Sequence, residues 1–414
     1  MRFIDENGVL LGLMDASVRG YPRVAGAFSP AGDADLRPAI YAPEASYAEA
    51  ATSAIASLFP EEVDPVMADR LAARAFAEVP TRHRHGEDIL VTDHASGPSG
   101  CASDVETGFL AGVLALTARR SGPRLLLADG TGSEGASLAE AIAGVPGLRL
   151  ALLYPEGHAA SGLRSQRLAR EGGQVSLFAV RGDRLAVDRL IREAVGGTIG
   201  GMGLVAAGPA NPARFAARIV VLAATFSILR KGAAGDFIMG ICAGDGLGFA
   251  ACLWAWRMGL PLKGILLSIG TMGVLGLDPT GRALIDCFDA ERPGVIRSLT
   301  LLQPVDCESA LRSGAAFEEE GGPALDVASS MTLVAAERAL DAGLRGHARI
   351  VVPRCADPRW DVVSETDTAG GTDAAIVTCG AGSSTRAAGL GLRDARVDAE
   401  IEPRLADLER ALTA

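Results

Sequence analysis

Apolar positions along the chain alternate between two periods. From 44 to 79, "PEASYAEAATSAIASLFPEEVDPVMADRLAARAFAEV" repeats its apolar residues at helical spacing. That spacing predicts two helices broken near Pro60, the second opened by Asp64 and Pro65. The polar run "PTRHRHGEDI" reads as a loop, and "ILVTD" after it as a short strand. Between about 105 and 207, helical runs ("FLAGVLALTARR", "ASLAEAIAG", "SGLRSQRLAREGG", "RLAVDRLIREAVG") alternate with strand-like runs ("RLLLAD", "LRLALLYP", "VSLFAVRG", "GLVAAG"). Alternation at this pitch predicts a parallel sheet covered on both faces. The rhythm resumes with a helix over 211–231, strand "DFIMGICAG", helix "GFAACLWAWRMG" and strand "LKGILLSIG". A looser region follows over 271–325. Helix "SMTLVAAERALDAG" and strand "ARIVVPR" come next, and the tail offers a strand "AAIVTCG" and a last helix "IEPRLADLERAL".

Composition narrows the reading. Of 414 residues, 49% are hydrophobic, enough to bury two or three modest cores. A net charge of −11 with no long basic cluster argues against nucleic acid as a partner. The run "ARIVVLAATFSIL" is flanked by Arg218 and Arg230 and is too short to span a bilayer, so a buried helix is expected and no membrane partner. The seven cysteines form no C-x-x-C, and the start of the chain shows no signal-peptide pattern. Both features imply a cytoplasmic protein with reduced thiols. The basic residues are nearly all Arg. Lys231 and Lys263 are the two lysines in the sequence.

Two glycine loops lie between a strand and a helix. In the first, Gly130, Thr131, Gly132, Ser133, Glu134 and Gly135 follow "LLLAD". Its spacing suits a dinucleotide, with Glu156 as the ribose acid, but Glu134 places negative charge beside a pyrophosphate. A carboxylate held at a helix N-terminus is the alternative. The second loop carries Gly244, Asp245, Gly246 and Gly248 and is a candidate anion site. There Asp245 opposes a phosphate unless a cation compensates. His83 and His85 form H-x-H in a polar loop, a pattern as well served by solvation as by a metal. His94 lies near Ser99, Cys101 and Ser103, a candidate base beside candidate nucleophiles.

Taken in order, these segments resemble the threonine synthase family of fold-type-II pyridoxal-phosphate (PLP) enzymes. "GLMDASVRGYPRVAGAFSP", "LLLADGTGSEGASLAEAIAGVPGLRLALLYPEG", "NPARFAARIV", "ICAGDGLGFAACLWAWRMGLPLKGILLSIG" and "SMTLVAAERALDAGLRGHARIVVPRCADP" carry the likeness over residues 8–362. It implies an α/β, tryptophan-synthase-β-like fold of two parallel-sheet domains around a central cleft, after an N-terminal helical segment. The expected boundaries are 1–85 for that segment, 86–110 with 205–414 for the large domain, and 111–204 for the small one. The resemblance departs from the family at the chemistry. "HASGPSGCASD" matches H-G-P-T-x-A-F-K-D, with Ser103 in place of the imine-forming Lys and Asp104 at the final Asp. Asp245 and Leu247 replace an Asn and a Gly of the phosphate loop. Arg354, Cys355, Ala356, Asp357 and Pro358 replace G-T-A-H-P, and Ser330-Met331-Thr332 replaces E-P-H.

A serine hydroxyl cannot form an imine with an aldehyde, so no cofactor is expected. The resemblance implies substrate contacts at Thr131, Gly132, Ser133 and Gly135 for a carboxylate. It implies Asn211 and Arg214 for a phosphate or second carboxylate. Ser103, Asp104 and His94 are the catalytic candidates. The expectation is a PLP-independent lyase or transferase acting on a small anionic, phosphorylated amino-acid-like substrate, as a monomer or homodimer. The alternative is an inactive homologue that serves as a ligand sensor or partner subunit.

Overall fold

The computed structural model describes residues 1–22, 26–32, 34–42, 44–131, 133–156, 173–231, 236–242, 244–270, 279–356 and 399–413. The first strands, β1 (Arg2–Ile4), β2 (Leu10–Leu11) and β3 (Ser29–Ala31), form a small antiparallel sheet in the order β2-β1-β3. Helices Tyr47–Leu58 and Pro65–Ala75 follow, as the periodicity predicts. Ser46 and Glu49 close a capping box on the first, and the Asp64 side chain accepts from Met67 N with Pro65 at the next position.

The larger sheet contains β4 (Thr81–His85), β5 (Ile89–Asp93), β11 (Phe237–Cys242), β12 (Leu262–Gly270), β13 (Thr300–Val305) and β14 (Arg349–Arg354), once the smaller sheet's strands are numbered in chain order. The smaller sheet contains β6 (Arg124–Asp129), β7 (Leu148–Pro155), β8 (Val175–Val180), β9 (Thr198–Ile199), β10 (Met202–Ala206) and β15 (Ala399–Ile401). Their orders are β13-β12-β11-β14-β5-β4 and β15-β8-β7-β6-β10-β9. Pairing is parallel except at β4 with β5 and at β9 with β10. Central strands such as β5 are buried at every position, because helices cover both faces.

Helix Pro212–Arg230 runs through the middle of the molecule. It is long and apolar enough to span a membrane by length and composition, yet its residues are largely buried against the rest of the chain. It is the buried helix the sequence predicts.

Several expectations need correction. The polar run 81–85 is a strand, not a loop. It pairs antiparallel with β5 through a turn at Gly86, whose φ of 63° suits glycine. The region 279–325 is ordered by helices Pro279–Glu291 and Cys307–Glu319 around the edge strand β13. The boundary at 110/111 cuts helix Ser103–Ser121, which is continuous. The tail does not belong wholly with the large domain. β15 adds to β8, with Glu400 opposite Ala179, and covers that sheet edge. Helix Leu405–Thr413 packs beside helix Arg184–Ala194. Cys101, Cys242, Cys252, Cys287 and Cys355 are free thiols, whereas Cys307 is disulfide-bonded, against the expectation of fully reduced cysteines. The expected helix at 161–173 and the expected strand in "AAIVTCG" lie outside the described residues.

Candidate functional site

The carboxyl ends of β5, β11 and β14 open onto a cavity of about 480 Å³, closed on its other side by helices Ser103–Ser121, Pro212–Arg230 and Gly246–Arg257. Parallel sheets place ligand sites at this end. The wall is mainly apolar, with Val221, Leu222, Met239 and Ile241 among its residues. Its thiols include Cys242, Cys252 and Cys355, and burial raises the pKa of all three. They are neutral and weakly nucleophilic at ordinary pH.

The three catalytic candidates do not converge. The Ser103 hydroxyl donates to Cys101 Sγ at 3.0 Å, at the start of its helix. Asp104 turns away from Ser103. Its Oδ1 accepts from Ser99 Oγ at 2.5 Å and its Oδ2 from Ser99 N at 2.9 Å, which ties the 97–104 loop. Gly97 must be glycine there, since a Cβ would stand 2.4 Å from Asp104 Oδ2. His94 lines the main cavity with Ser103, and also a second cavity of about 280 Å³ that Asp104 lines. Burial lowers the His94 pKa to about 4 against the opposing charge of Asp93, so the imidazole is neutral.

The first glycine loop has steric reasons for its spacing. A Cβ on Gly130 would fall 2.4 Å from the Tyr154 ring, and one on Gly135 would fall 2.8 Å from the Gly130 carbonyl oxygen. Thr131 N donates to Asp129 Oδ1 at 2.8 Å. Gly132 and the Ser133 side chain lie outside the described residues. Glu134 reaches across and pairs with Arg214.

Arg214 is 1% exposed. Its Nη2 lies 3.0 Å and its Nε 3.2 Å from Glu106 Oε2. Burial works against its charge, but Glu134 and Glu106 outweigh that and raise its pKa. Asn211 is fully buried and caps the same helix. Its Oδ1 accepts from Ala213 N at 3.0 Å, and its Nδ2 donates to Ser17 O and Ala206 O at 2.9 and 2.8 Å. Both residues proposed for an external phosphate therefore have internal partners.

In the second loop, Asp245 caps helix Gly246–Arg257. Its Oδ1 accepts from Gly248 N at 2.9 Å and from Arg218 Nη1 at 2.6 Å. A Cβ on Gly248 would overlap this carboxylate, 2.2 Å from Oδ2. The start of this helix is packed closely from outside: a Cβ on Gly281 would fall 2.3 Å from the Gly246 carbonyl carbon. Gly244 completes the turn on the cavity wall. Arg218 Nε also faces Glu106 Oε1 at 2.7 Å. Burial works against the Arg218 charge, and Asp245 with Glu106 more than offsets it, raising its pKa. The compensating cation that Asp245 requires is thus Arg218.

Glu134, Arg214, Glu106, Arg218 and Asp245 form one chain of ion pairs joining the two glycine loops. Sequence reasoning missed Glu106 and Arg218. One signal was present: Arg218 stands four residues after Arg214, on the same helix face. His83 Nε2 lies 3.2 Å from Thr81 Oγ1. His85 places its two ring nitrogens on Glu320 and Glu337, and no metal-binding cluster occurs among the described residues.

No family profile matches the chain. The threonine synthase of Haemophilus influenzae is 24% identical over 216 residues, covering 52% of this chain and 50% of that one. The threonine synthase of Serratia marcescens is 27% identical over 215 residues, covering 51% and 50%. The matched stretch spans about half the length of these relatives. In structure, threonine synthase from Escherichia coli superposes with a TM-score of 0.73 at 16% identity, over 100% of this chain and 99% of that one. PLP-bound threonine synthase from Brucella melitensis gives 0.72 at 16%, over 99% and 98%. Over about half its length the chain is similar in sequence to threonine synthases, and over its whole length it shares their fold. At these identities the structural likeness establishes the threonine synthase fold, a fold-type-II PLP-enzyme architecture, and not an activity.

The residues present do not fit the PLP of that family. An imine needs an amine at the cavity. Lys231 Nζ instead bonds Ala45 O at the surface, and exposed Lys263 pairs with Asp236 at 3.1 Å. Neither lysine lines the cavity. At the glycine loop, Asp245 already occupies the Gly248 amide, and its carboxylate would repel a phosphate placed there.

Proposed function

We propose that this chain, which has the threonine synthase fold, is a small-molecule-binding protein that works without a PLP imine. The observation that carries the reading is the position of the two lysines, both outside the cavity. Asp245 and Arg218 support it, because the helix terminus suited to a phosphate is satisfied from within the chain. The cavity has the volume and apolar wall of a ligand site. Titrating the protein with PLP should give the summed spectra of the two components. A saturable imine band that depends on the folded protein would overturn the proposal.

A PLP-independent lyase is the second reading, favoured by one observation: neutral His94 and the Ser103 hydroxyl face the same cavity. In that reading His94 would accept a proton and Ser103 would orient the substrate. Its test is turnover of phosphorylated amino acids by the wild type, Ser103→Ala and His94→Asn. Elimination that both variants abolish, with their folds intact, would favour it over the binding protein.

A further inference from the structure

We infer that the cavity takes a small, mainly apolar molecule bearing one amine, and that it disfavours anions. This rests on the reading of the cavity as a ligand site without imine chemistry. Arg218 is the one cationic side chain among the described lining residues, and Glu106 and Asp245 already face it. The ion-pair chain behind the wall holds three carboxylates against two guanidiniums, so it carries a net negative charge.

Asp245 supplies the binding atom. Its Oδ1 holds both the Gly248 amide and Arg218, whereas no donor among the described residues meets its Oδ2, and its side chain is 39% exposed. Two further groups on the wall want partners. Thr92 on β5 and Thr225 on helix Pro212–Arg230 are each 1% exposed; the Thr92 hydroxyl has no hydrogen-bond partner among the described residues, and the Thr225 hydroxyl has only the Tyr47 hydroxyl beside it there. An ammonium carries three donors and no acceptor, and a carboxylate and hydroxyl oxygens can receive them. An anion would meet Asp245 instead, with its only cation already shared. The apolar surface of Val221, Leu222, Met239 and Ile241 suits an aliphatic body.

The test compares matched probes on the full chain by isothermal titration calorimetry: hexylamine, hexanol, hexanoate and O-phosphoserine. Hexylamine should bind about tenfold or more tighter than hexanoate, with hexanol between them and O-phosphoserine weakest. Asp245→Asn keeps a capping oxygen, so it should fold, and it should shrink the hexylamine-to-hexanoate ratio to within about threefold. Should that variant fail to fold, the wild type carries the test: added salt should lower the ratio and leave hexanol binding unchanged. Equal or tighter binding of hexanoate, or no binding by any probe, overturns the inference. A PLP imine formed while hexylamine still outbinds hexanoate would overturn the imine-free reading alone, and hexanoate outbinding hexylamine without an imine would overturn the charge preference alone, so the two failures are distinguishable.

Discussion

Asp245 and Arg218 meet at 2.6 Å, through the same carboxylate oxygen that caps the helix beginning at Gly246. One aspartate thus satisfies a helix terminus and neutralises a half-buried guanidinium. Asp245→Ala should lower stability by about 1–3 kcal/mol, the cap and the pair together. Asp245→Asn should cost less, because an amide oxygen still caps. Chemical denaturation measures both. A loss under about 0.5 kcal/mol for Asp245→Ala would contradict the double role.

Arg214 serves the fold before it serves any ligand. Arg214→Met should cost about 3–5 kcal/mol, since Glu106 and Glu134 both lose a buried partner. Glu134→Gln should cost less, because Glu106 still holds Arg214. A folded Arg214→Met protein of unchanged stability that has lost anion binding would return Arg214 to the role of ligand residue.

His94 makes stability depend on pH. Its pKa falls from the ordinary 6.5 to about 4 on folding, so the unfolded chain takes up a proton that the folded chain refuses. The contribution is complete above pH 6.5 and is lost as pH falls toward 4. With its partial exposure allowed for, it amounts to about 2 kcal/mol. Subtracting the stability curve of His94→Asn from that of the wild type isolates this from the carboxylates. A flat difference between those pH values would refute it.

The cavity thiols should be slow to alkylate. Burial raises the pKa of Cys242, Cys252 and Cys355, and Cys252 is 1% exposed. A time course with iodoacetamide near neutral pH, read by peptide mass, should label the half-buried Cys287 before Cys252. Early labelling of Cys252 would show a cavity more open than the structure describes.

The α/β rhythm was legible because each central strand is a buried apolar run next to an amphipathic helix. "RLLLAD" and "LRLALLYP" declare β6 and β7, and Asp64-Pro65 declares a helix start. β4 was not legible, since "TRHRH" lies on a sheet edge with little burial to leave a periodic mark. The tail's return to β8 was hidden for another reason: strand pairing over such sequence separation leaves no local signal. At the site, the resemblance sets Ser103 where the family carries its lysine, and Asp245 stands out in the sequence as a charge in need of a cation. Its partner, Arg218, is an ordinary helical arginine until folding brings Glu106 and Asp245 to it. The residues of the ion-pair chain come from separate helices and loops, so their closure belongs to the tertiary structure.

The central claim is that the cavity works without an imine. Its most direct test is to incubate the folded protein with PLP, reduce with borohydride, and map any pyridoxyl group by peptide mass. The account predicts no saturable, one-to-one adduct, and at most slow, non-saturating labelling of exposed amines such as Lys263. A stoichiometric adduct that forms only in the folded protein and protects the cavity residues from other reagents would contradict it.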